Sequence, residues 1–167
     1  MSTEKKRFRR KVKKHKNKDI GNKEKQNEAL EKLKNEIGSG PWDDDFRDFP
    51  GPSYSFYYED YKFILTRCRA GSWDVELILP KGHFDIKTPL KTLNENFKVH
   101  GSFRTKNKRS VEFGCAAKGD IVPADRIMHT IFGKDYPPSS IYRDFAFAKQ
   151  ETIKAIQQFQ KREKGTW

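Results

Sequence analysis

Residues in the middle of the chain combine the side-chain types that acid–base chemistry requires. His100 is followed by Gly101 in a predicted strand, and the later segment 110–126, SVEFGCAAKGDIVPADR, carries Lys118 and Asp120. If the two strands pair as a hairpin, Asp120 lies beside His100. A carboxylate beside an imidazole fixes its tautomer and strengthens it as a general base. The alternative is a glycine turn in which Asp120 accepts hydrogen bonds from nearby main-chain amides.

Further candidates lie in the preceding strands. His83, in LPKGHFD, follows a strand that ends at Pro80 and is the second candidate catalytic histidine. Arg67 and Arg69 alternate along one strand and could bind an anion as a fork, although an exposed sheet edge is the alternative. Two histidines, a cysteine and an aspartate coordinate a metal only if the fold brings them together. The sequence therefore leaves metal and cofactor unknown.

A block of cations precedes these elements. With Glu4 as the only acid before Asp19, the ten Lys or Arg between Lys5 and Lys18 give the first 18 residues about +9 of the formal net charge of +12. A segment with so little apolar content cannot offset the entropy of ordering, which predicts a disordered arm. The run of cations indicates an arm that binds phosphates in a salt-sensitive way. The alternative is a solubilising tail or a targeting signal. Its candidate phosphate contacts are Lys5, Lys6, Arg7, Arg9, Arg10, Lys11, Lys13 and Lys14.

Two classes of protein are disfavoured. No apolar run approaches the roughly 20 residues of a membrane span, and no apolar signal region follows the N-terminal charges. Cys68 and Cys115 are too few for a disulfide framework and are not spaced as CxxC. We therefore expect a protein that stays in a reducing cytoplasm and does not enter a membrane.

The elements that must position the candidate residues follow from hydrophobic periodicity. The segments 61–68 and 73–80 predict one hairpin around RAGS, and 96–105 with 110–117 predict a second around KNKR. An amphipathic helix follows PPSS, where a serine can cap it. Its apolar stripe is Phe145, Ala148, Thr152, Ile156 and Phe159. The pattern predicts a small α+β fold, a mainly antiparallel sheet packed by one long C-terminal helix.

The chain divides into three parts. Residues 1–38 form the basic arm with a possible helix at 19–37, and 39–52 form a linker whose aromatic residues can pin it to the domain surface. Residues 53–167 form the globular domain. Because the apolar stripe of the helix is thin, we expect the helix to dock weakly or to belong to the arm. This stripe is Ala29, Leu30, Leu33 and Ile37.

Five fragments in order resemble a family of phage and bacterial hypothetical proteins with the pattern RxRxxG, PxxHP, VHGGLTF, GFDCAHAGDxVP and YRDMAYVRxE. The chain has RCRAG at 67–71, PKGHF at 80–84, VHGSF at 99–103, GCAAKGDIVP at 114–123 and YRDFAFAKQE at 142–151. The resemblance covers about 61–151. It implies a phage origin and a shared site at His83, His100, Cys115, Asp120, Arg143 and Asp144. The chain departs from the family at Ala117 and Gly114, where the pattern has histidine and aspartate.

We therefore expect a phage-encoded protein of the host-cell cytoplasm that binds a phosphate-rich ligand, first of all nucleic acid. The arm would supply affinity, and a cleft would supply selectivity, lined by Arg67, His83, His100, Asp120 and Arg143. Arg69 and Lys118 are further candidate phosphate contacts.

Two other function classes stay open. One is a hydrolase or phosphodiesterase acting on a nucleotide or nucleic acid, for example a host defence signal, with His100 as base and Asp120 orienting it. The other is a module that binds a host protein through the aromatic segment 54–61, YSFYYEDY, which is alternatively a core strand.

Overall fold

Five antiparallel strands and one long helix dominate the computed structural model, which describes residues 24–25, 27–132 and 140–165. In chain order the elements are α1 (27–37), α2 (Asp43–Asp48), β1 (Ser53–Tyr58), β2 (Tyr61–Arg67), β3 (Trp73–Ile78), a 3₁₀ turn (Phe84–Lys87), α3 (Leu90–Asn96), β4 (Thr105–Lys106), β5 (Ser110–Gly114), β6 (Asp120–Ile121), α4 (Asp125–Phe132), β7 (Ile141–Tyr142) and α5 (Phe145–Glu163). The predicted arm at 1–18 lies outside the described residues.

Alternating apolar residues turn one face of the sheet towards α5. The strands run in the order β1–β2–β3–β5–β4, and α5 packs across β2 and β3. In β2 the core-facing side chains are Tyr61, Phe63 and Leu65. The predicted stripe of α5 is buried along its whole length, at Phe145, Ala148, Thr152, Ile156 and Phe159. The α+β class is therefore confirmed, an antiparallel sheet packed by the C-terminal helix.

The start of α5 differs from the prediction that a serine of PPSS caps it. The cap is Asp144, whose carboxylate accepts a hydrogen bond from the Phe147 N–H at 2.7 Å. Ile141–Tyr142 forms β7 just before it, so the extended chain there prevents an earlier helical start. None of the described helices combines the length and apolarity needed to cross a bilayer.

The first predicted hairpin is confirmed and the second is largely wrong. β2 and β3 pair with Thr66 opposite Asp74. Of the strand predicted at 96–105 only the end pairs, because β4 is two residues long. Gly101 and Ser102 have φ of +70° and +75°, which turns the chain. The apolar alternation survives as isolated buried side chains in the loop 97–104.

The segments assigned to the helix of the arm and to the linker pack on the domain. Leu30, Leu33 and Ile37 of α1 are 2–6% exposed and form a second core with Trp42 and Phe46. α2 begins with three aspartates, which the positive end of the helix dipole stabilises. The sequence predicts weak docking of this helix, whereas the described residues 27–48 bury their large apolar side chains.

Candidate functional site

The two-stranded parallel sheet of β6 and β7 brings Asp120 and Arg143 together across the chain. Asp120 pairs with Ile141 and Ile121 with Tyr142, so Arg143 directly follows the paired residues. The loop 97–104 contributes His100 and passes close to the residues after β5, since a Cβ on Gly101 would lie 3.2 Å from the Ala117 Cβ.

Asp120 is the centre of the site and accepts three hydrogen bonds. Its Oδ2 lies 2.5 Å from His100 Nε2 and accepts the Ala117 N–H at 2.8 Å. Its Oδ1 accepts the Arg143 Nε–H at 2.9 Å. The carboxylate is only 2% exposed, whereas the two side chains it holds are partly exposed. The predicted contact of His100 with Asp120 is therefore present, and so is the alternative contact with a local amide.

These contacts favour the ionised carboxylate. Burial by itself would raise the pKa of Asp120, because it disfavours charge. The hydrogen bonds from His100, Ala117 and Arg143 outweigh that effect and lower the pKa below its ordinary value. Asp120 is therefore a fixed anion that orients its two neighbours.

The same contacts leave polar atoms of His100 and Arg143 unpaired, in side chains that are 18% and 26% exposed. Because Nε2 of His100 donates to Asp120, its Nδ1 is the free ring nitrogen, with no hydrogen-bond partner in the described part of the chain. Arg143 binds Asp120 through Nε only, and neither of its Nη groups has a partner there. Both side chains pack on Phe147, which the Arg143 guanidinium covers at 4.5 Å and the His100 ring meets edge-on.

The two departures from the pattern of the family that the chain resembles involve a main-chain hydrogen bond at Ala117 and a close side-chain contact at Gly114. Ala117 serves the site through its N–H, which any residue except proline supplies. A Cβ on Gly114 would lie 2.5 Å from Arg104 Nη2 and 2.6 Å from Asp74 Oδ1. The exposed ion pair of Arg104 with Asp74 therefore occupies the space that a side chain at position 114 would need.

His83 does not join His100. It is buried, its Nε2 lies 3.0 Å from the Tyr61 hydroxyl, and its Nδ1 accepts the Asp85 N–H. Its ring packs on Phe159, 12 positions beyond the Phe147 that contacts His100, which is about 18 Å along a helix. Burial lowers the pKa of His83. The prediction of one cleft containing both histidines is corrected, because His83 caps a turn in the core.

The guanidinium of Arg67 is likewise closed to solvent, although the residue borders the cavity beside Arg69. Its guanidinium is fully buried, ion-pairs with Asp45 at 3.1 Å and stacks between Phe46 and Trp73, each 4.1 Å away. A cation so enclosed cannot contact a phosphate from solvent. The predicted fork of Arg67 with Arg69 is therefore corrected to a buried ion pair beside one exposed arginine.

Asp45 is the residue that sequence reasoning missed, because it lies in the segment predicted as a linker. Its carboxylate accepts hydrogen bonds from Arg67, from Trp73 Nε1 at 2.7 Å, from the Tyr142 hydroxyl at 2.6 Å and from the Phe145 N–H at 2.9 Å. Burial and the neighbouring Asp45 raise the pKa of Tyr142, so the hydroxyl stays protonated. The only local signal is an aspartate among aromatic residues.

Two of the other predicted phosphate contacts, Lys118 and Arg69, are exposed. Lys118 lies in the turn before Asp120, and Arg69 follows β2. Arg69 lines a cavity of about 280 Å³ with Lys25 and with the apolar Ala29 and Leu30 of α1. The eight arm residues predicted to contact phosphate lie outside the described residues.

Cys115 is an unsuitable nucleophile. It is completely buried, and this burial, with the negative charge of Asp120, raises the pKa of its thiol to about 12.

Within 24–25, 27–132 and 140–165 no three His, Cys, Asp or Glu side chains converge as metal ligands would.

Comparison with protein-family models, with curated proteins and with solved structures finds no match to this chain. Function is therefore inferred from the geometry and charge of the site itself.

Proposed function

We propose that the chain is a phage-encoded protein of the host-cell cytoplasm that binds a phosphate-rich ligand, nucleic acid in the first place, at Arg143 and His100. The observation that carries the proposal is the state of Arg143. Its Nε is held by Asp120 and its plane by Phe147, while both Nη groups have no partner among the described residues and the side chain is 26% exposed. An arginine fixed in this way loses little side-chain entropy when it binds phosphate.

The charge around the site supports an anionic ligand. Asp120 balances one positive charge and both its oxygens are already occupied, so it offers little to a cation. Arg143 and the exposed Lys118 bring two positive charges, and His100 adds a third when protonated. A phosphate can accept hydrogen bonds from the Arg143 fork and from protonated Nδ1 of His100.

The basic arm is the second part of the proposal. Its ten cations would release counterions from nucleic acid whatever the base sequence, which gives affinity that falls steeply with salt. The site at Arg143 would add a few localised contacts. The two contributions therefore differ in their salt dependence.

The test is fluorescence anisotropy with labelled single- and double-stranded DNA and RNA at two salt concentrations. Deleting residues 1–18 should weaken binding to all sequences and flatten the salt slope, since about 0.9 counterions are released for each phosphate neutralised. Arg143→Gln in the full chain should weaken binding about tenfold and change that slope by about one. The matched control is Arg104→Gln, which removes an exposed arginine that is paired with Asp74 and not with Asp120. Unchanged affinity after both the deletion and Arg143→Gln would overturn the proposal.

One specific observation favours a second candidate, hydrolysis of a phosphodiester. His100 donates through Nε2 to a buried carboxylate and exposes Nδ1, the arrangement of a general base. Nδ1 would take the proton of a water that attacks phosphorus, the Arg143 fork would stabilise the phosphoryl oxygens, and the proton would pass to the leaving oxygen as its P–O bond breaks. Nucleotides and oligonucleotides incubated with the purified chain should be cleaved, and His100→Ala should abolish turnover. Full turnover in that variant would exclude His100 as the base.

A further inference from the structure

The two edges of the main sheet differ in length. β4 pairs over only two residues and closes one edge, whereas β1 forms the other edge over six residues and pairs only with β2. An edge strand presents a row of main-chain N–H and C=O groups to one side. β1 is therefore the long open edge in the described part of the sheet.

The pairing of β1 with β2 fixes which of its residues face outward. The Arg67 N–H donates to the Pro52 carbonyl at 2.8 Å, so this is a hydrogen-bonded pair. Hydrogen-bonded pairs alternate along an antiparallel ladder, which turns the main chain of residues 54, 56 and 58 towards β2. The N–H and C=O groups of Ser53, Ser55 and Tyr57 therefore point away from the sheet, and no described residue bonds them.

The sequence of this edge lacks the usual protection against pairing. Natural edges carry lysine, proline, a bulge or inward charges, but β1 reads SYSFYY and contains none of these. Its outward Tyr57 is 72% exposed. In a chain with a formal net charge of +12, β1 itself carries no charge, and the nearest cations are Lys62 and Lys149, which lie over the rings of Tyr57 and Phe56.

We propose that β1 pairs with β1 of a second copy of this chain, antiparallel about a two-fold axis through Ser55. Only registers that place outward residues opposite outward residues form hydrogen bonds. The register centred on Ser55 pairs all three, Ser55 with Ser55 and Ser53 with Tyr57, and gives about six N–H···O bonds. Registers centred on Tyr54 or Phe56 place an outward residue opposite a position beyond the strand.

Side-chain sizes fit this register. On the exposed face each Tyr57 lies opposite the small Ser53 of the second copy. On the face towards α5, Tyr54 lies opposite Phe56, and aromatic cross-strand pairs stabilise a ladder. The charged turn residues Glu59 and Asp60 fall beside positions 51 and 50 of the second copy, which are glycine and proline.

Pairing of the two β1 strands produces a closed dimer. A two-fold axis uses the same strand of both copies, so the joined sheet of ten strands ends at the two short β4 strands. Those edges offer two residues each and cannot extend the sheet far. The expected product is a dimer, and the proposal requires neither nucleic acid nor the site at Arg143.

Disulfide cross-linking tests the register. Under mild oxidation Ser55→Cys should form a covalent dimer, because opposed hydrogen-bonded residues lie about 5.5 Å apart at Cα, within disulfide range. Ser53→Cys is the matched control. It is also exposed, but its counterpart lies about 14 Å away along the strand, four residues at 3.4 Å each. Both variants keep Cys68 and Cys115, so background cross-linking is the same. Equal cross-linking at both positions, or none at position 55, would overturn the proposal.

Light scattering tests the dimer without a new thiol. The wild-type chain should show twice its mass of 19.6 kDa at high concentration. Ser55→Pro should be monomeric with an unchanged circular dichroism spectrum, because the N–H that it removes points away from β2. A wild-type chain that is monomeric at all concentrations would overturn the proposal and leave the edge to an extended segment of another protein.

Discussion

Asp120→Asn is the substitution that most directly tests how the site is built. The wild-type carboxylate accepts donors on both oxygens, from His100 and the Ala117 N–H on one and from Arg143 on the other. An amide has one oxygen and one NH₂ group, and the NH₂ group cannot accept. In either orientation of the introduced amide one side therefore sets donor against donor. The change is nearly isosteric, so it tests hydrogen bonding and charge with little change in packing.

The magnitude follows from the contacts that are lost. A hydrogen bond to a charged group contributes about 1.5–3 kcal/mol, and an unsatisfied buried donor costs about 1–3 kcal/mol. Because His100 and Arg143 are partly solvated, we expect the free energy of unfolding to fall by about 2–4 kcal/mol. For a domain of this size that corresponds to a Tm lower by roughly 5–15 °C.

Urea denaturation followed by circular dichroism measures this loss. The matched control is Asp144→Asn, the same chemical change at the exposed N-cap of α5. Asparagine caps a helix as well as aspartate does, so this variant should lie within a few tenths of a kcal/mol of wild type. If Asp120→Asn also stays within about 0.5 kcal/mol, or if both variants lose the same stability, the described role of Asp120 is refuted.

The pH dependence gives a second measure of the same group. The hydrogen bonds lower the pKa of Asp120 in the folded state below its ordinary value of 3.8. Its contribution to stability is therefore present above about pH 4 and is lost as the pH falls through the lowered pKa. The stability difference between wild type and Asp120→Asn should narrow below pH 4. A difference that stays constant into acid would contradict this assignment.

Two further predictions concern the buried polar groups. Because burial lowers the pKa of His83 in the folded state, the unfolded chain binds more protons as the pH falls through the ordinary value of 6.5, and stability is lost there. His83→Asn keeps an acceptor for the Asp85 N–H but removes the titrating ring. In urea denaturation, its free energy of unfolding should therefore fall less between pH 7.5 and pH 5.5 than that of the wild type. An equal fall in both proteins would contradict this role of His83. Arg67→Met leaves the buried carboxylate of Asp45 without its counter-ion and should lower the free energy of unfolding by about 3–5 kcal/mol. Adding Asp45→Asn should cost less than the sum of the single changes, and additivity in the double-mutant cycle would show that the pair is not coupled.

Local periodicity predicts much of the fold. The β2–β3 hairpin follows from alternating β-branched and aromatic residues around a short turn, and the buried face of α5 follows from a regular helical stripe. The loop 97–104 has the same alternation but does not form the predicted strand, because Gly101 and Ser102 turn the chain after Val99. α3 is only seven residues long and buries one apolar residue, Leu93, which gives too weak a pattern to predict.

The site is predicted in part, for a physical reason. The pairing of His100 with Asp120 could be predicted because an imidazole and a carboxylate form a hydrogen bond when they lie close together. Strand ends with a glycine turn are places where polar side chains of this kind are found. The partners of Asp45 cannot be inferred in this way, because Arg67, Trp73 and Tyr142 lie 22, 28 and 97 positions away. Only the folded chain shows which cation a buried aspartate meets.

Two consecutive residues of the chain, at the end of β7 and just after it, connect these two carboxylates. The Tyr142 hydroxyl donates to Asp45 on the side of the second core, and the Arg143 Nε donates to Asp120. Adjacent side chains of an extended chain point to opposite sides. The short segment of Tyr142 and Arg143 is therefore held by Asp45 on one side and by Asp120 on the other. The Phe145 N–H also donates to Asp45, which fixes the first residue of α5 and hence the helix that carries Phe147. The Asp45 network therefore positions the strand and the aromatic surface on which the proposed phosphate-binding arginine rests.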